Sequence, residues 1–259
     1  MKIFLTVLVT FFAGMGAGLG TGFAGLSAAA VISPLLITCL GLEPYAAVGI
    51  ALASDVLASA VSAYTYHKNK NLDIKNGLIM MATVLLFTVV GSYIAKLVPA
   101  QTMGGFSNFM TLFLGLKFLI KPVMTTKEKM NAVSAQKRAV QSVVCGMIIG
   151  FICGFVGAGG GMMMLLVLVS VLGYELKTAV GTSVFIMTFT ALTGAASHFV
   201  IGDGVGDMWV LIACVVFTLI GALITARFAN KAPPKILNRV LGFGLSAMSI
   251  AMIIVQFIK

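Results

Sequence analysis

Asp55, the hydroxyl pair Thr182 and Ser183, and the run Gly157-Ala158-Gly159-Gly160-Gly161 hold most of this chain's capacity for chemistry. Asp55 stands about ten residues into an apolar stretch, so a helix crossing a bilayer would carry its carboxyl to the midplane. A charge there costs about 2.5–3.5 kcal/mol on insertion scales, and an ionisable residue at that depth is by default a functional one. It suits a group that carries a coupling proton or holds a gate. The glycine run disfavours helix by about 1 kcal/mol per residue relative to alanine. Backbone broken at membrane depth must satisfy its N–H and C=O groups against protein or a cavity. Free N–H groups at the start of the following helix, the seventh apolar segment, and at the start of the second would attract an anion without any lysine or arginine. Small residues of this kind also serve simply to pack helices closely.

Around these lie secondary candidates. Thr182 and Ser183 follow Gly181 and offer hydroxyls to an oxyanion, or cap and back-bond their own helix. Cys153 precedes the glycine run and is either a weak donor or a packing residue. His198 is a proton relay or an interfacial histidine. Gly25 and Ser27 occupy the earlier stretch Gly25-Leu26-Ser27-Ala28-Ala29, which corresponds to 157–161. With two histidines and one deep carboxylate, no metal or cofactor is expected.

The elements that must position these residues are set by composition. Of 259 residues 60% are hydrophobic and only 9% charged, against roughly 25% charged in soluble domains. The mean hydropathy is +1.11. Lipid is the solvent such a chain requires. Ten apolar segments are readable, near 3–23, 26–41, 45–66, 76–96, 103–120, 139–157, 161–173, 178–201, 208–226 and 240–258. Most reach the roughly 20 residues a spanning helix needs, while the second and seventh are short. Met1-Lys2 followed by an apolar run resembles a signal peptide. Its retention is expected, because residues 14–49 have a copy later in the chain.

Charge sets the orientation. The net charge of +10 does not indicate nucleic acid, since the basic residues lie in short loops. If the segments alternate, one face collects Lys68, Lys70, Lys75, Lys121, Lys127, Lys129, Lys137, Arg138, Lys177, Arg227, Lys231, Lys235 and Arg239. The other has Lys2, Lys96 and Lys259 with the acids Glu43, Asp203 and Asp207. The positive-inside rule makes the basic face cytoplasmic and puts both termini on the extracytoplasmic side.

The two halves repeat. A shift of 132 places Gly14, Gly18, Gly22, Phe23 and Gly25 on Gly146, Gly150, Gly154, Phe155 and Gly157. LGLEPYAAVG at 40–49 falls on LGYELKTAVG at 172–181, identical at six positions of ten. Each half holds five segments, an odd number, so the second enters the membrane from the opposite side. The expected fold is an all-α polytopic membrane protein of two inverted-topology repeats. The first two segments of each repeat are either full spans or a short, re-entrant hairpin. Residues 1–121 form the first repeat, 122–138 a basic cytoplasmic linker and 139–259 the second repeat, in one integrated transmembrane domain. Inverted repeats recur in secondary transporters that bind substrate near the midplane at the repeat interface.

Three motifs resemble the TauE/SafE sulfite-exporter family of bacterial membrane permeases: the Gly157–Gly161 run, Ala179-Val180-Gly181-Thr182-Ser183, and the loop from Gly202 to Asp207. The resemblance covers nearly the whole chain. It implies a permease of the bacterial inner membrane that moves a small sulfur-containing anion such as sulfite, a sulfonate or thiosulfate. The first half departs from the pattern, with few glycines at 25–29 and Ile50-Ala51 in place of the Thr-Ser pair. The expected substrate ligands are Gly25, Ser27, Gly157, Gly159, Gly160, Gly161, Thr182, Ser183 and Cys153. Asp55 and His198 are assigned to proton coupling or gating. The expected partners are a small anion, lipid and a coupling proton or Na+, with no nucleic acid. Oligomeric state stays open. The alternatives are carriage of another organic anion or a metal ion, a passive channel, a non-transporting scaffold, and an intramembrane serine protease using Ser27 and His198.

Overall fold

The apolar runs become helices in a computed structural model that describes residues 2–95, 112–113, 115–156, 160–201 and 207–258, to which all structural statements here refer. In chain order these are α1 (Lys2–Ala24), α2 (Ala29–Leu40), α3 (Pro44–Lys68), α4 (Ile74–Ala95), a short α5 (Lys127–Asn131), α6 (Ala135–Val156), α7 (Gly160–Ser170), α8 (Leu176–Ile201), α9 (Met208–Lys231) and α10 (Pro234–Ile258). No strand occurs among the described residues. The fifth apolar segment lies mostly outside them, although residues 115–120 are helical.

Four helices are long and apolar enough to cross a membrane, over Ile3–Ala24, Ala46–Lys68, Leu176–Ala196 and Met208–Lys231. By contrast α2 has 12 residues and α7 has 11. At 1.5 Å per residue they reach about 18 Å, short of a hydrocarbon core of about 30 Å. Several helices run past the apolar stretches that announce them. Lys137 and Arg138 fall inside α6, Lys231 closes α9, and Lys235 and Arg239 open α10. Long lysine side chains can keep their charge in water while their stems cover the helix end, and Arg138 is instead buried against partners, so the helix continues where the apolar pattern stops.

Two stretches alike in sequence are also alike in local geometry. Gly41 and Gly173 both take φ +66°, the left-handed conformation that lets glycine end a helix. Two residues later comes a glutamate cap. Glu43 Oε2 accepts the Ala46 N–H at 2.9 Å. Glu175 Oε2 accepts the Thr178 N–H and the Thr178 hydroxyl, both at 2.9 Å. Glu175 is buried while Glu43 is exposed. Glu175→Ala therefore orphans a buried N–H and should cost about 1–2 kcal/mol. Glu43→Ala should cost less, because water takes the bond. Denaturant titration of the two variants in detergent reads the difference.

The chain divides into two compact units, each drawing helices from both halves of the sequence: Met1–Leu72 with Gly181–Asn230, and Asp73–Val180 with Lys231–Lys259. In the first, the glycine face of α1 lies against α9. A Cβ on Gly14 would sit 2.7 Å from Phe217 Cβ, and one on Gly18 would sit 2.8 Å from the Ala222 nitrogen. Thr225 donates its hydroxyl to the Gly18 carbonyl at 3.2 Å. In the second, Gly146 and Gly150 of α6 lie against α4 in the same manner, a Cβ on Gly146 falling 3.0 Å from the Met80 carbonyl. The leading helix of each half thus packs on the fourth helix of the other half. Small residues permit this approach where lipid supplies no hydrophobic drive between helices.

The second unit also holds a polar cluster beside its charged loops. Tyr174 donates to Asp73 Oδ2 at 2.9 Å. Arg138 lies 3.8 Å from the same carboxylate oxygen, 5.6 Å over the Tyr174 ring, and bonds to the Met130 carbonyl. Burial, and then the neighbouring Asp73 carboxylate, push the Tyr174 phenol well above its ordinary range. The phenol therefore remains a neutral donor.

Candidate functional site

The first unit brings its chemistry together where α1 gives way to α2. Helix α1 ends at Ala24, and Gly25 turns the chain with φ +62°. A side chain at Gly25 would be strained by that angle and would meet Ser183 Oγ at 2.9 Å from its Cβ. Ser183, fully buried near the start of α8, donates its hydroxyl to the Gly25 carbonyl at 3.4 Å and lies 3.9 Å from Met187 Sδ. The two sequence-predicted residues Gly25 and Ser183, 158 positions apart, are therefore in contact.

Asp55 closes the other side of this turn. Its residue is 1% exposed. Ser59, one helical turn further along α3, donates to Oδ1 at 3.0 Å. Thr21 donates to the Leu26 carbonyl at 2.8 Å, and its hydroxyl oxygen lies 3.4 Å from Asp55 Oδ1. The Ser27 hydroxyl and the Ala28 N–H also face the carboxyl. Among the described residues no charged side chain reaches it, so the group is held by neutral donors alone. Burying a carboxylate on such terms is costly.

The start of α2 was expected to offer free N–H groups to an anion. In the structure they are engaged. The Ala28 N–H meets Asp55, and the Ala29 N–H meets Ser27 Oγ at 3.3 Å. The Ala30 and Val31 N–H groups meet the Ser27 and Ala28 carbonyls, each at 3.1 Å. The Gly25 and Leu26 N–H groups meet the Thr21 and Gly20 carbonyls at 2.9 and 3.3 Å. The carboxyl of Asp55 thus stands at the helix N-terminus where a free anion would otherwise bind.

The remaining expected ligands divide by position. Thr182 is buried beside Ser183. Gly160 and Gly161 open α7, whereas Gly157 and Gly159 lie outside the described residues, as do the side chains of Cys153 and His198. Of the loop from Gly202 to Asp207, only Asp207 is described; its Oδ1 caps α9 by accepting the Trp209 N–H at 2.9 Å.

Three contributors were missed by the reading from sequence. Ser59 was available from spacing, since i and i+4 share a helix face. Thr21 carried a weaker signal as the counterpart of Cys153. Tyr66, buried and donating to the Gly22 carbonyl at 2.9 Å, gave none, because a tyrosine near a helix end reads as an interfacial anchor.

Comparison with known proteins follows the same outline. The family described as Sulfite exporter TauE/SafE matches residues 10–252. The chain is similar to Probable membrane transporter protein YdhB of Bacillus subtilis, 25% identical over 222 residues that cover 85% of this chain and 89% of the relative. It is also similar to Probable membrane transporter protein YunE of the same organism, 26% identical over 198 residues covering 71% and 72%. A Probable membrane transporter protein of Haemophilus influenzae is 24% identical over 274 residues, covering 99% of this chain and all of the relative. No solved structure matches the chain.

Proposed function

The chain belongs to the sulfite exporter TauE/SafE family, and on that premise we propose that this membrane transporter moves a small sulfur-containing anion, such as sulfite, a sulfonate or thiosulfate, by alternating access. The observation that carries the reading is the meeting of a broken α1–α2 connection with the start of α8 through Gly25 and Ser183. Elements from the two halves of a repeated sequence converge there, beside a buried carboxyl. That is the composition of a transporter's central site.

The two halves do different work in this mechanism. In the first half the N–H groups at the start of α2 are engaged, Ala28's by Asp55 and the next ones by Ser27 and Ala28, which leaves that break unsuited to a second anion. Holding the substrate is left to the glycine run of the second half, Gly157, Gly159, Gly160 and Gly161. Asp55 carries the coupling proton. As it gains or loses that proton its grip on Ser27 and Ala28 changes, and the break it holds opens or closes. Ser27 accepts the Ala29 N–H and faces the Asp55 carboxyl, which argues against its use as a protease nucleophile.

Thermal stabilisation of the detergent-purified protein across sulfite, sulfate, thiosulfate, taurine, sulfoacetate and acetate tests the reading. A ligand bound only by the folded state at 100 times its Kd adds about 2.7 kcal/mol. We expect one sulfur oxyanion to raise the midpoint while acetate does not. A panel without any shift, or a shift with acetate alone, rejects a sulfur-anion substrate. Counterflow of the positive anion in proteoliposomes then separates a carrier from a channel.

A further inference from the structure

Helix α3 carries more buried polarity than holding Asp55 requires. Asp55, Ser59, Ser62 and Tyr66 are spaced by 4, 3 and 4 residues, which puts them on one face. All four are at most 1% exposed. The stripe runs from the α1–α2 break toward His67 and Lys68, the basic end of the helix. Over eleven residues it covers about 16 Å, roughly half a bilayer core.

Its middle rung is unusual. Ser54 and Thr65 on the same helix bond back to the Ile50 and Val61 carbonyls at 2.8 and 2.9 Å, as hydroxyls in membrane helices commonly do. Ser62 does not. Its hydroxyl is fully buried and has no hydrogen-bond partner among the described residues. A buried hydroxyl in this position is normally met by water. Above it Ser59 donates to Asp55 at 3.0 Å, and below it the Tyr66 hydroxyl bonds the Gly22 carbonyl at 2.9 Å.

The second half lacks the device. Under the 132-residue shift the four positions become Met187, Ala191, Gly194 and His198, so three rungs of four are lost. Packing alone would not require four polar groups on one buried helix face in the first repeat and apolar or small groups at three of the same places in the second.

We propose that Asp55, Ser59, Ser62 and Tyr66 form a water-assisted proton path from the α1–α2 break to the basic face of the membrane, and that it is the route by which Asp55 exchanges its proton. The path rests on the transporter reading and adds a side to it: the proton is exchanged on the basic face in both directions of transport. The groups facing Asp55 are Thr21, Ser27, Ser59 and the Ala28 N–H, all neutral. Nothing charged along the described stripe competes for the proton.

The test has a substrate-free arm and a transport arm. In full-length protein with its native cysteines replaced, Ser62→Cys is expected to react with a small charged methanethiosulfonate applied from the basic face. Ile50→Cys, equally buried but on the opposite face of the same helix, should be inert. Labelling of both to the same extent, or of neither, overturns the path. In proteoliposomes, Ser62→Val should lose substrate-driven lumenal pH change while keeping the anion-induced thermal shift, and Ser54→Ala should retain both. Coupling that survives in Ser62→Val overturns the path and leaves the transporter reading standing. If wild-type protein transports the anion with no proton movement, both the path and proton coupling at Asp55 fall.

Discussion

Asp55→Asn is expected to fold, to bind its anion, and to lose gradient-driven transport down to the passive leak. The asparagine carbonyl can still accept the Ala28 N–H and the Ser59 hydroxyl, so these buried donors keep an acceptor. What the variant lacks is the exchangeable proton. Asp55→Leu should behave differently. It strips the acceptor from the Ser59 hydroxyl and the Ala28 N–H, both buried, and from the half-buried Ser27 hydroxyl. At about 1–3 kcal/mol for each of the two buried groups, the expected loss is about 2–6 kcal/mol of stability. Proteoliposome flux and detergent melting, measured on both variants, separate the roles. Asp55→Asn with undiminished gradient-driven uptake would end the proton-carrier assignment, and Asp55→Leu with a wild-type melt would end the structural one.

The second large effect lies on α1. Gly18→Ala should cost about 2–3 kcal/mol, the range for forcing a methyl into a packed interface. Its Cβ would overlap the Thr218 carbonyl and press the Ala222 nitrogen at 2.8 Å. Both are backbone atoms of α9, so no side chain can swing aside. Gly16→Ala on the same helix should go the other way. There the nearest atom to a Cβ is Val31 Cγ1 at 3.6 Å, an ordinary contact, and alanine favours helix by up to about 1 kcal/mol over glycine. Opposite signs for one substitution two residues apart, read by melting, are the expected result. Equal effects would mean that α1 and α9 do not touch as described.

Sequence made some of this legible and concealed the rest for identifiable reasons. The helices and their approximate limits follow from apolar runs, and the glutamate caps after Gly41 and Gly173 follow from the repeated LGxE. Asp55 announced itself because no other deep carboxylate exists in the chain. The engagement of α2's N–H groups was not readable, because the expectation of an open anion cradle came from backbone breaks alone. Which atoms fill a break is decided by a neighbour such as Asp55, 27 residues from Ala28 in the chain. The pairing of Gly25 with Ser183 was hidden for the same reason. The repeat likewise reveals which pieces are alike and not which pieces pack, so the crossing of α1 onto α9 and of α6 onto α4 could not be seen in it.

That crossing bears on how the protein is made. Thr225 bonds Gly18 across 207 residues of chain. At about 5–20 residues per second of synthesis, α1 leaves the ribosome roughly 10–40 seconds before the helix that covers its glycine face. Throughout that interval a groove of exposed backbone must be shielded by lipid or by the insertion machinery. A nascent chain truncated before Met208 should therefore remain associated with that machinery and sensitive to protease. Release should come as one late event when α9 arrives, and not half by half.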